Sequence, residues 1–98
     1  MLFHMSWEFI DTSEEGEKRS LDVFSKWQPA AGAEFRGFYG YADNSGGVAI
    51  LEVDSLQTLA KTTAPFVPWI RFAATPILPV EEAAAIAGEA IAFRESIG

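Results

Sequence analysis

The chain has no cysteine, a single histidine, and seven lysines and arginines against fourteen aspartates and glutamates. The missing thiols exclude disulfides, thiolate nucleophiles and zinc centres built on cysteine. The formal charge is −7, and apart from Lys18-Arg19 the basic residues are scattered. Little is therefore available to displace the counterions of a phosphate backbone, and neither nucleic acid nor an anionic membrane is an expected partner. No stretch approaches the roughly 20 apolar residues of a membrane span. The start, Met1-Leu2-Phe3-His4-Met5, lacks the basic opening of a signal peptide, and the expected location is the cytoplasm. Without internal repeats, linkers or low-complexity tracts, residues 1–98 are expected to form one domain.

Apolar material is abundant. Hydrophobic residues make up 49% of the chain and aromatics 13%. A domain of this size buries only about 60–70% of its unfolded surface. The surplus predicts a second buried surface, such as a partner interface.

Periodicity gives the elements. Phe3, Met5, Trp7 and Phe9 alternate with His4, Ser6 and Glu8, the period of a strand with one apolar face over residues 2–10. Thr12 with Glu15 matches a capping box. Leu21, Val23, Phe24 and Trp27 share a helical arc that Gly16 and Ser20 continue, and the helix should end near Gln28, before Pro29. Residues 32–42 alternate again, with Phe35, Gly37, Tyr39 and Tyr41 opposed to Glu34, Arg36 and Phe38. Asp43 to Gly47 reads as a hairpin turn into a third strand over 48–53. Asp54 or Ser55 should cap a short helix with Leu56, Leu59 and Ala60 inward, stopped by Pro65. Residues 70–78 form a fourth strand whose Pro76 favours a sheet edge or a strand end. Residues 81–96 form an alanine-rich helix with Ile86, Ala90, Phe93 and Ile97 as its inward stripe. The order predicts an α+β fold with helices segregated onto one face of a mainly antiparallel sheet.

Four segments carry a family likeness: Phe3-His4-Met5-Ser6-Trp7, Phe38-Tyr39-Gly40-Tyr41, the run Ser45 to Asp54, and Thr75-Pro76-Ile77-Leu78. On these the chain resembles the dimeric α/β-barrel superfamily, ferredoxin-like βαββαβ proteins with an extra C-terminal helix. That superfamily includes small monooxygenases, muconolactone-isomerase-type enzymes and haem-degrading proteins, and the chain is most similar to a small bacterial branch of unknown function. The resemblance implies a homodimer whose open sheet faces pack together. It implies no activity, because the superfamily hosts many. The Asn, Trp and His set of the haem-degrading branch cannot be placed here, so no cofactor is expected.

With the apolar parity under the helices, the other parity gathers His4, Ser6, Glu8, Glu34, Arg36, Glu52 and Arg71 on the open face. In the strand order 4-1-3-2 implied by the fold, His4 and Glu52 lie on adjacent strands, flanked by Arg36 and Arg71. A histidine beside a carboxylate is a candidate general base, and the arginines could hold an anionic ligand. Trp69, after the rigid apolar segment Pro65-Phe66-Val67-Pro68, is a candidate pocket wall. The plain structural alternative is a set of ion pairs at a dimer interface. One histidine without a spaced partner supports no metal site. Arg36-Gly37-Phe38-Tyr39-Gly40-Tyr41 imitates an RNA-recognition motif, but Gly40 falls where the second stacking ring belongs. Three functional classes stay open: a small-molecule binding module with its ligand between two sheets, a cofactor-free isomerase or monooxygenase-like enzyme using His4 as base, and a purely structural dimer.

Overall fold

In the computed structural model, which describes all residues from Met1 to Gly98, the chain alternates strands and helices. The elements are β1 (Leu2–Phe9), α1 (Glu14–Lys26), β2 (Ala33–Gly40), β3 (Gly46–Val53), α2 (Leu56–Thr63), β4 (Ile70–Pro76) and α3 (Val80–Ser96), with a short 3-10 turn at Ala64–Phe66. All strand pairings are antiparallel and the sheet order is β2-β3-β1-β4, or 4-1-3-2 read from the β4 edge. The molecule is thus an α+β protein with one four-stranded antiparallel sheet. No helix is long and apolar enough to cross a membrane.

The alternation in β1 does what its parity dictates. Phe3 and Met5 are buried together with Ala49, Leu51 and Val53 of β3, and Phe35, Leu59 and Phe72 pack around them. His4 and Glu8 point to the open face and are exposed. Pro76 ends β4 at the sheet edge, where its missing N–H costs no ladder bond.

In β2 the simple alternation fails. The register with β3 slips between Phe35 and Gly37, so that Phe35 faces Leu51, Gly37 faces Ile50 and Phe38 faces Ala49. One extra residue, Arg36, is accommodated as a bulge, and a bulge reverses the parity of everything after it. Phe38 therefore joins Phe35 on the helix side, their rings stacked with centroids 4.6 Å apart, while Tyr39 turns to the open face opposite Val48.

The helix caps also differ from expectation. Ser13, not Thr12, caps α1, accepting from the Gly16 N–H. Asp11 accepts from both the N–H and the hydroxyl of Ser13, and this local turn moves the cap by one residue. α1 ends at Lys26 because Trp27 is already extended, which swings its ring towards the sheet. α2 is rotated relative to its apolar pattern. Thr58 and Thr62 are the buried residues, while Leu56 and Ala60 are exposed. Their hydroxyls are satisfied locally, Thr58 on Asp54 and Thr62 on the Thr58 carbonyl, so burial leaves no orphaned polar group.

α3 departs furthest. Its stripe Ile86, Ala90, Phe93 and Ile97, expected to face inward, is exposed, and no residue of the helix is buried.

Two predictions follow from this packing. A Cβ at Gly46 would collide with the Trp7 carbonyl oxygen, a backbone atom that cannot step aside. Gly46→Ala should therefore lower stability by about 2 kcal/mol, read as a Tm about 8–16 °C lower. The second concerns acid. The Thr58 hydroxyl holds Asp54 below its ordinary pKa of 3.8, and the Ser13 and Ser45 hydroxyls do the same for Asp11 and Asp43. Depressed carboxylates contribute stability that is fully present above about pH 4 and lost as pH falls through their folded values. Denaturant midpoints should fall on acidification below that pH, and Asp54→Asn should flatten the decline.

Candidate functional site

A partly open cavity of about 380 Å³ lies between α1 and the sheet. It exists because small residues sit where bulk would close it. Ser20 is the position of α1 that is both buried and on the cavity wall; Gly16, also buried, faces the Asp11 carboxylate instead. Across the gap, Gly40 of β2 pairs with Gly47 of β3 on the helix side of the sheet. A side chain on Gly47 would run into the Trp7 indole, so the missing Cβ is what lets that ring lie across the strand.

Aromatic rings supply the walls. Trp27 is their hub: its centroid lies 5.5 Å from Phe66, 5.8 Å from Phe35 and 5.8 Å from Phe24. Trp7 meets Phe38 edge-on at 5.3 Å. These separations and the mostly edge-to-face angles are the favourable geometry for aromatic pairs. Trp27 is oriented by its indole N–H, which donates to the Thr62 carbonyl at 3.2 Å. Phe24 and Leu21 are each about half exposed at the rim.

The polar lining is sparse. Ser20, Thr62 and Thr63 are its hydroxyl residues, and no lining residue is ionisable. Each hydroxyl already donates to a main-chain carbonyl: Ser20 to Glu17 at 3.0 Å, Thr62 to Thr58 at 2.8 Å, Thr63 to Leu59 at 3.3 Å. What they offer an occupant is acceptor lone pairs. The cavity wall therefore carries no ionisable side chain. It is apolar and aromatic, with hydroxyl acceptors as the polar groups.

The residues singled out in the sequence lie elsewhere. His4 is exposed on the open face, opposite Ile50 on β3 and Thr75 on β4. Glu52 shares that face, opposite Leu2, one diagonal step from His4. No hydrogen bond joins the two; the Glu52 carboxylate instead accepts from the Met1 ammonium at 3.1 Å. Arg71 lies 3.4 Å from Glu8, and both line a shallow depression of about 330 Å³ with Ser6 and Tyr41. Arg36 is exposed at the bulge on edge strand β2. Trp69 is half-buried before β4, its carbonyl accepting from the Ile10 N–H at 2.9 Å, and it does not line the aromatic cavity although Phe66 and Ile70 do. Arg36 and Arg71 are thus on opposite edge strands, with His4 and Glu52 between them. Nowhere do three His, Asp or Glu residues converge in a metal-holding group.

Of the cavity residues, Phe24, Trp27 and Phe35 read in the sequence as plain packing, and Phe38 fell on the opposite parity with Glu34 and Arg36. The available signal was the aromatic surplus together with glycines inside two strands, since a strand glycine marks a place where something else approaches closely.

No curated protein matches the chain. A family model described as a domain of unknown function, DUF3303, matches residues 1–91, which takes in the whole sheet, the cavity and most of α3. The chain belongs to the DUF3303 family.

Proposed function

We propose that this protein is a homodimeric, ferredoxin-like small-molecule binding module that takes a flat apolar ligand between α1 and the sheet. The observation that carries the reading is the cavity of about 380 Å³ walled by aromatic rings and free of ionisable groups. That volume falls in the range of ligand pockets, and a few placed hydroxyls in an apolar wall is their usual chemistry. It equals the bulk volume of about a dozen waters, and an apolar space of this kind favours an organic occupant over water. A net charge of −7 disfavours anionic ligands. The open-face cluster supports this reading less than the cavity does, because the Glu52 carboxylate is engaged with Met1 and Arg36 stands apart from Arg71.

The test uses N-phenyl-1-naphthylamine, an uncharged ring compound whose emission rises in apolar surroundings. Saturable emission with quenching of tryptophan fluorescence is expected. Ser20→Leu, which fills the cavity from the α1 side, should weaken binding by about tenfold or more, about 1.4 kcal/mol, while the thermal transition persists. Absence of saturable binding, or binding indifferent to Ser20→Leu, would contradict the proposal.

A further inference from the structure

We infer that α3 is an exchange arm: it leaves its own domain and packs on the open sheet face of a second copy, which returns the favour. The inference rests on the homodimer in the reading above, and it names the element that makes it.

The first ground is shape. The chain measures 61 × 29 × 19 Å with a radius of gyration of 17.7 Å, against about 13 Å for a compact domain of this length. Every residue of α3 is exposed, and no hydrogen bond or ion pair ties a side chain of the helix to the rest of the chain. The lead-in Pro76-Ile77-Leu78-Pro79 is stiff, because each proline fixes its own φ and keeps the preceding residue extended. The Ile77 N–H is held by the Leu2 carbonyl at 3.0 Å, so the arm departs from a fixed point.

The second ground is area. The accessible surface is 6886 Å², whereas a folded monomer of 10.7 kDa exposes about 5,500 Å². The excess of about 1,400 Å² per chain exceeds the roughly 800 Å² that each partner of a standard interface buries. Reciprocal docking of two arms would bury that excess in a closed, twofold dimer.

The third ground is the helix itself. Ile86, Ala90, Phe93 and Ile97 form one stripe at i, i+4, i+7, i+11 spacing, and Val80, Ala84, Ala87 and Ile91 form a second about 120° away. One packing surface satisfies one stripe, so α3 is built to be wedged between two. Its 17 residues span about 25 Å, and the eight-residue strands span about 26 Å. The open face offers Leu2, Val48 and Ile50 without a helix above them.

Charge selects the same face. Arg94 falls between the two apolar stripes and has no ion-pair partner within its own chain. On the open face Glu34 stands directly opposite Glu52, a like-charged cross-strand pair that is destabilising unless a cation joins it. Of the two carboxylates, the Met1 ammonium reaches that of Glu52 and not that of Glu34. The partner's arm supplies the second cation.

Sedimentation of the full chain, with circular dichroism as the folding control, tests this. The expected species is a dimer that Ile91→Glu with Phe93→Glu, one change per stripe, converts to a folded monomer. Arg94→Glu should weaken the dimer about tenfold or more, and adding Glu34→Arg should restore it. A dimer indifferent to the α3 substitutions overturns the arm and leaves the homodimer standing. A wild-type monomer overturns both. If the double variant unfolds, the charge pair decides, and failure of Glu34→Arg to rescue overturns the open-face seat.

Discussion

The structure depends on the close approach of β1 to β3. The main chain of Trp7 passes so near Gly46 that no side chain fits there, and the Trp7 indole lies over Gly47 where a Cβ would stand. This contact places β1 at the centre of the sheet and fixes the register in which Phe3, Met5, Leu51 and Val53 meet. It also lays an indole along the floor of the space under α1. The core and the cavity are thus two products of one packing constraint. A bulkier pair at 46–47 would lose both.

That constraint explains why so small a chain devotes so many rings to so few buried positions. Only six hydrophobic residues are buried, which is little for a domain of this length. Around them the aromatic side chains form a second shell, partly open, held by edge contacts and by the Trp27 bond to Thr62. α1 faces this shell through Ser20, a small buried residue, so the helix spans the sheet without filling the space between them. An apolar space that persists is one an apolar guest can enter.

Much of this was legible in the sequence, because some physics is local. The parity of β1, the turn at Asp43 to Gly47 and the edge position of β4 each follow from residues that act within a few positions of themselves. The face of Phe38 was not legible, since one inserted residue, Arg36, inverts parity and nothing in the alternation announces which residue is extra. The rotation of α2 escaped because threonines whose hydroxyls bond locally bury as readily as alanines, which an apolar count does not register. The stripe of α3 was visible, but its partner surface was not: periodicity tells that a face must be covered and is silent on what covers it. The cavity was hidden for a related reason. Rings that line a space and rings that fill a core have the same pattern, and only the glycines opposite them distinguish the two.

The space under α1 is expected to stay open, apolar and able to take a guest. A crystal of the full chain pressurised with xenon addresses it most directly, because xenon enters apolar cavities that water leaves empty. A xenon atom is expected among Trp27, Phe35 and Phe38, with α1 unmoved. Finding α1 closed down on the sheet, with Phe24 filling the gap and no xenon, would contradict it.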